Sequence, residues 1–148
     1  MVYKFRVGQT DLGFVKLMKE NPPSIFAEEE HLGGYHLGLS FFDKAEARHV
    51  CFLLNKDLFE YDSSGWSRRR NVGRDSEYNW NSLGDALNGT TFVSPDDLED
   101  YIRDDGNWEG EEYHFLKHNC QDFVKFCLNC VGAKSMSFKK GPCYRSQH

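Results

Sequence analysis

Runs of hydrophobic residues predict several short strands in the first half of the chain. Residues 2–7 alternate between polar and apolar side chains, as half-buried strands do. Three more strand candidates follow in close succession, at residues 35–42, 48–54 and 58–61. The links between these three are short and polar, so we expect an antiparallel meander.

Helical spacing and capping residues predict two helices in the second half. Ser94 is a suitable N-cap and Pro95 fits the first helical position, so we expect a helix that runs to about Arg103. A second helix is expected over residues 120–131, with Asn119 as its N-cap. Strands followed by helices indicate an α+β fold.

Elsewhere the pattern is weaker. Residues 62–88 combine polar and glycine-containing stretches with the arginine run 68–70 and the indoles of Trp66 and Trp80. We expect residues 62–88 to form a long surface connection. Residues 113–116 are predicted to form a short strand.

Composition indicates one folded domain. The chain has 148 residues, 39% of them hydrophobic and 15% aromatic, which permits a single core and excludes wholesale disorder. We assign residues 1–134 to this domain and expect the polar C-terminal tail, residues 135–148, to be loosely held.

Charge and cysteine content narrow the possible partners and compartment. The net charge of −5 argues against nucleic acid as the main partner. The apolar run at residues 50–54 is too short to cross a bilayer, and the N-terminal alternation does not resemble a signal peptide. Five cysteines are an odd number without a secretory signal, so we expect reduced thiols and a cytoplasmic location.

Among candidate catalytic residues, Cys120 has the most favourable position. It is the first residue of the second predicted helix, where unpaired N–H groups and the helix dipole favour a thiolate nucleophile. The alternative is a buried structural cysteine, because Cys127 and Cys130 lie on the same helix.

A cysteine nucleophile needs a base, and two histidines are candidates. His36 begins the strand at 35–42, and Gly38 and Ser40 on the same face leave room beside its ring, so we prefer it. His49 is the rival, with Cys51 as its small neighbour on the same face. Either imidazole could equally have a structural role.

A zinc site is a separate interpretation of the histidines and cysteines near the C-terminus. The residues concerned are His114, His118, Cys120, Cys127 and Cys130. The pair Cys127 and Cys130 lies within one helix and lacks a second clean pair at the spacing of a zinc finger. We therefore expect neither a metal nor a cofactor.

Two short segments resemble known enzymes. Residues 113–123, Tyr-His-Phe-Leu-Lys-His-Asn-Cys-Gln-Asp-Phe, resemble the nucleophile motif of the PPPDE class of thiol isopeptidases, which includes the desumoylating isopeptidases. Residues 34–39 resemble the histidine motif of that class, and residues 49–59 also resemble its histidine hairpin. Residues 119–124 are similar to a segment of the related lecithin:retinol acyltransferase family.

This resemblance implies a permuted papain-like fold, in which a small antiparallel sheet packs against a helix that carries the nucleophile. It implies that the domain is a cysteine peptidase or isopeptidase in which Cys120 attacks a carbonyl and His36 transfers the proton. Asn55 would orient His36 if residues 48–55 fold back on residues 35–42. The implied substrate is a protein such as a ubiquitin-like conjugate, docked on the loops that carry Trp66 and Trp80. An acyltransferase or phospholipase, or an inactive binding module, is the alternative.

Overall fold

A computed structural model describes residues 1–11, 48–81, 83, 87–133, 136, 138, 140, 141 and 143. Within these residues, five strands form one antiparallel sheet in the order β4-β3-β2-β1-β5. The strands are β1 (Tyr3–Asp11), β2 (Arg48–Leu54), β3 (Asp57–Asp62), β4 (Gly65–Arg69) and β5 (Asn88–Thr91). The same residues contain two α-helices, α1 (Pro95–Asp105) and α2 (Cys120–Cys130). The arrangement is α+β, as the sequence predicts.

The two sides of β2 are paired to different extents. Along one side, β1 pairs with β2 over all seven residues of β2. Along the other, β3 pairs only from Leu54 opposite Asp57 to Phe52 opposite Phe59. The first residues of β2, including His49 and Val50, therefore pair with β1 but not with β3.

Side chains of β2 alternate between two buried clusters, which places hydrophobic residues on both faces of the sheet. Val50, Phe52 and Leu54 belong to the larger cluster, which also contains the buried faces of both helices. Cys51 and Leu53 belong to a smaller cluster, which also contains Leu58, Tyr78 and Trp80. Of the described elements, the helices thus cover one face of the sheet.

Both predicted helices are confirmed, together with their caps. The Oγ of Ser94 accepts a hydrogen bond from the backbone N–H of Asp97 at 3.1 Å, and α1 ends at Gly106 in the left-handed conformation with φ 72°. At α2, the side-chain oxygen of Asn119 accepts from the N–H of Gln121 at 2.9 Å. These bonds satisfy backbone donors that a helix N-terminus otherwise leaves unpaired.

The described residues between 62 and 88 contain more regular structure than the sequence predicts. Strand β4 pairs with β3 from Asp62 opposite Gly65 to Leu58 opposite Arg69, so the meander continues by one strand. The indole of Trp80 is buried in the smaller cluster, and Trp66 packs partly against the larger one. A docking surface in this region therefore cannot use the Trp80 indole.

The expected strand at residues 113–116 is not observed. Gly110–Glu112 forms a short 3-10 helix, and residues 114–118 form a turn closed by a bridge between His114 and His118. The ring Nδ1 of His114 accepts hydrogen bonds from the N–H groups of Leu116 and Lys117, both at 3.1 Å. These side-chain bonds stabilise the turn instead of an extended strand.

Two further expectations concern the strand that carries His36 and the possibility of a membrane-spanning helix. The predicted strand at residues 35–42, with His36, lies outside the described residues. Among the helices that are described, none is long and apolar enough to cross a membrane.

Candidate active site

Three potential ligands or reactive groups meet where α2 begins. A ring nitrogen of His49, the Sγ of Cys120 and the Sγ of Cys143 all lie within 4.8 Å of one another. None of the three residues is more than 1% exposed. Residues that are 23 to 94 positions apart in the chain thus form one buried cluster.

Local structure at the start of α2 places Cys120 beside β2. The side-chain amide of Asn119 donates to the carbonyl of Phe115 at 2.9 Å and to that of Gly141 at 3.1 Å, in addition to capping the helix. The Sγ of Cys120 accepts a hydrogen bond from the backbone N–H of Val50 at 3.4 Å. The end of β2 that β3 does not pair with therefore supplies a donor to the sulfur.

Cys143 is held in place by its own backbone. Its N–H donates to the carbonyl of Phe115 at 2.8 Å, and its carbonyl accepts from the hydroxyl of Tyr113 at 2.6 Å. Two residues earlier, the N–H of Gly141 donates to Oε1 of Gln121 at 2.6 Å. This part of the C-terminal segment is fixed against α2, in contrast to the loosely held tail that the sequence predicts.

The imidazole of His49 lies between the sulfur atoms and a carboxylate. Its Nδ1 is 3.7 Å from the Sγ of Cys143, and its Nε2 is 3.9 Å from Oε2 of Glu60 on β3. Glu60 also accepts a hydrogen bond from the hydroxyl of Tyr78 and forms an ion pair with Arg69 at 2.9 Å. Glu60, on the neighbouring strand, thereby orients the Nε2 edge of the His49 ring.

The environment keeps Glu60 ionised. Burial by itself raises the pKa of this carboxyl group. The nearby imidazole of His49, the hydrogen bond from Tyr78 and the charge of Arg69 outweigh burial, and together they lower the pKa to about 2. At neutral pH a carboxylate therefore faces Nε2 of His49, which favours a proton on that nitrogen.

Burial disfavours the thiolate form of Cys51, Cys127, Cys130 and Cys143. It raises the pKa of Cys51, Cys127 and Cys143 well above the usual value, and that of Cys130 to about 11. These four residues are consequently thiols at neutral pH, and a neutral thiol is a poor nucleophile.

The structure brings together some of the residues that the sequence singles out. Cys120 and His49 meet, whereas Asn55 lies in the turn at the opposite end of β2, about 20 Å along the strand from His49. Near Asn55, β2 pairs with β3. The role proposed for Asn55 instead requires pairing with residues 35–42. His36 lies outside the described residues, so its distance from Cys120 stays open.

The remaining histidines of the zinc interpretation have structural contacts. His118 stacks on Trp108 with ring centroids 4.5 Å apart, and its Nε2 lies 2.6 Å from the carbonyl of Asn107. His114 stabilises the turn described above. Within the described residues, the one group of three or more potential metal ligands contains Cys120 but neither of these histidines.

Sequence reasoning missed Glu60 and Cys143. A two-residue turn joins β2 and β3, and this turn sets a register that places Glu60 next to the start of β2. The sequence therefore contained a usable signal for Glu60. Cys143 had none, because its approach to His49 depends on hydrogen bonds that Gly141 and Cys143 form with residues 20 to 30 positions away.

The sequence was also compared with known proteins. No protein-family model matches the chain, and no curated protein matches it significantly.

Proposed function

We propose that the protein is a cysteine hydrolase with Cys120 as nucleophile, His49 as general base and Glu60 as the residue that positions His49. The observation that carries this proposal is the position of the His49 ring, which lies between a cluster of sulfur atoms and a carboxylate. A nucleophile, a base and a group that orients the base are the parts that thiol and serine hydrolases share.

In the proposed reaction, Nδ1 of His49 accepts the proton of the Cys120 thiol, and the thiolate attacks the substrate carbonyl carbon. The resulting oxyanion forms next to the N-terminus of α2, where backbone N–H groups stabilise negative charge. The imidazolium then protonates the leaving group, and a thioester remains on Cys120. Water, deprotonated by His49, hydrolyses the thioester and regenerates the thiol.

His49 takes the place that the sequence analysis assigns to His36. Three features support it: its ring contacts the cluster, a carboxylate lies at its other nitrogen, and its strand supplies the Val50 donor to the sulfur. The order of a histidine strand followed by a cysteine helix also suits the permuted papain-like fold that we propose for the domain.

The proposed substrate is a peptide or isopeptide bond, such as the linkage of a ubiquitin-like protein to its target. Support comes from the similarity of residues 113–123 to the isopeptidase nucleophile motif. Cys120 is fully buried, so a substrate reaches it only when a neighbouring segment moves. An extended, narrow C-terminal peptide is a substrate that could enter through a small opening.

Active-site probes test this proposal. The full chain is incubated with ubiquitin-like proteins that carry a C-terminal electrophile, and the modified residue is identified by mass spectrometry. We expect one covalent adduct, on Cys120, which is lost in Cys120→Ala and His49→Ala and retained in Cys130→Ala. Adduct formation on several cysteines at similar rates would contradict the proposal.

A lipid acyl substrate is the second candidate, because residues 119–124 are similar to the acyltransferase segment. It requires the same nucleophile, so the two candidates differ only in which substrate acylates Cys120. Formation of an acyl-enzyme with phospholipid vesicles, without labelling by any ubiquitin-like probe, would favour this candidate.

A further inference from the structure

Cys143 contributes a second sulfur to the candidate active site, and the proposed hydrolysis does not use it. Its Sγ lies within 4.8 Å of the Cys120 Sγ and 3.7 Å from Nδ1 of His49. Two sulfur atoms and one imidazole nitrogen thus lie close together in the protein interior.

We propose that His49, Cys120 and Cys143 bind one Zn²⁺ ion, and that this ion blocks the catalytic thiol. The ligand set of two cysteines and one histidine is one that zinc accepts, with a fourth position left for water. The sequence analysis grouped Cys120 with other ligands, so this site differs from the zinc interpretation considered there.

The separations suit a tetrahedral ion. With Zn–S at about 2.3 Å and Zn–N at about 2.0 Å, neighbouring ligand atoms of a tetrahedral centre lie roughly 3.5–3.8 Å apart. The 3.7 Å between Nδ1 of His49 and the Sγ of Cys143 falls in this range. The limit of 4.8 Å on the other separations leaves at most about 1.0–1.3 Å of adjustment on binding.

The surrounding groups are arranged as in many zinc sites. A zinc-bound histidine commonly donates its second ring N–H to a carboxylate, and Oε2 of Glu60 lies 3.9 Å from Nε2 of His49. The Val50 N–H is directed at the Cys120 sulfur, and a backbone N–H stabilises a metal-bound thiolate. Two hydrogen bonds fix the backbone of Cys143, which supplies the third ligand.

Binding would have a simple consequence, which rests on the proposed function. The ion would use the sulfur of Cys120 and Nδ1 of His49, the two atoms that hydrolysis requires. Zinc would therefore act as a reversible inhibitor, and removal of zinc would release the active thiol.

Metal titration of the reduced, metal-free full chain tests the site. Co²⁺ is the probe, because thiolate ligands give it a sulfur-to-metal charge-transfer band, and Zn²⁺ is then added as competitor. We expect one Co²⁺ per chain, displaced by one Zn²⁺. Cys143→Ser should weaken binding by about 100-fold or more, and Glu60→Gln by about 10- to 100-fold. Cys130→Ser, which removes a thiol outside the cluster, should bind as the wild type does.

A protection experiment keeps the test decisive if Cys143→Ser does not fold. In the wild type, Zn²⁺ should slow alkylation of Cys120 and Cys143 but not of Cys130. Failure of the wild type to bind one equivalent of Co²⁺, or equal protection of every cysteine, would overturn the proposal. Metal binding without reactivity of Cys120 in the metal-free protein would instead overturn only the proposed hydrolase function.

Discussion

The backbone N–H of Val50 donates a hydrogen bond to the Sγ of Cys120 at 3.4 Å, which joins the part of β2 that lies beyond β3 to the first residue of α2. This contact exists because β3 stops pairing with β2 at Phe52, and the donors beyond it become available. The next residue along the strand towards its start is His49. One local feature of the sheet thus positions both the candidate nucleophile and the candidate base.

The first prediction concerns Glu60 as a positioning residue. Glu60→Gln removes the charge next to Nε2 of His49, so the favoured position of the ring and of its proton is lost. We expect the rate of Cys120 alkylation by iodoacetamide at neutral pH to fall by about 10- to 100-fold. Tyr78→Phe, which removes one hydrogen bond to Glu60 but keeps its charge, should have a smaller effect. An unchanged rate in Glu60→Gln would show that Glu60 has no part in the site.

The second prediction concerns stability at acidic pH. The pKa of Glu60 is lowered from 4.5 to about 2, so the folded state binds a proton less readily than the unfolded state. This carboxylate contributes stability above about pH 4.5, and the contribution, roughly 3 kcal/mol at most, is lost as the pH falls towards 2.

Urea unfolding at several pH values, in the presence of a chelator, measures this contribution. Between pH 4.5 and 2 the wild type should lose more free energy of unfolding than Glu60→Gln does. Glu111→Gln, which changes an exposed carboxyl group, should follow the wild type. Parallel pH dependences for wild type and Glu60→Gln would contradict the assigned ionisation.

The third prediction concerns the arginine run, which the sequence analysis placed in a surface connection. Arg68 is only 7% exposed and forms ion pairs with Asp57 at 2.7 Å and with Glu99 at 3.1 Å, so it ties β4 to β3 and α1. Arg68→Ala removes the largely buried cation that joins the carboxylates of Asp57 and Glu99, and should destabilise the protein by about 2–4 kcal/mol. Arg70, 63% exposed with ion pairs at 3.8 Å, is the matched control. Its replacement by Ala should cost less than about 1 kcal/mol. Similar losses for the two variants in denaturant unfolding would refute this distinction.

The fourth prediction compares the two helix caps. Ser94→Ala removes an exposed cap of α1 and should cost about 1 kcal/mol without changing the reactivity of Cys120. Asn119→Ala also removes two buried hydrogen bonds, to Phe115 and Gly141, and should cost about 2–4 kcal/mol. Because Asn119 sets the start of α2, we expect slower alkylation of Cys120 in this variant alone. Equal alkylation rates in the two variants would argue against a positioning role of Asn119.

Local signals in the sequence were sufficient for part of the fold. The caps Ser94 and Asn119, with apolar residues at helical spacing, identified both helices because capping depends on neighbours in the chain. Strand β4 was missed, since its arginines look like a solvated loop until their acidic partners in β3 and α1 are known. Pairing of distant charges is a tertiary effect that local composition does not reveal.

The candidate site was predictable to a similar extent. The position of Cys120 followed from the helix start, and the β2–β3 turn contained the register that brings Glu60 near His49. The choice between His36 and His49 required knowing which strand approaches α2. The placement of Cys143 required knowing that its backbone bonds to Phe115 and Tyr113, which are distant in the chain.

The most direct test of the central claim is the alkylation rate of Cys120 as a function of pH, read residue by residue by mass spectrometry. Wild type, His36→Ala and His49→Ala are compared in the presence of a chelator, with Cys130 as internal reference and circular dichroism as a check of folding. The account predicts that Cys120 reacts faster than Cys130 at neutral pH, and that this advantage is lost in His49→Ala but kept in His36→Ala. A Cys120 whose advantage depends on His36 alone, or that has no advantage in the wild type, would contradict it.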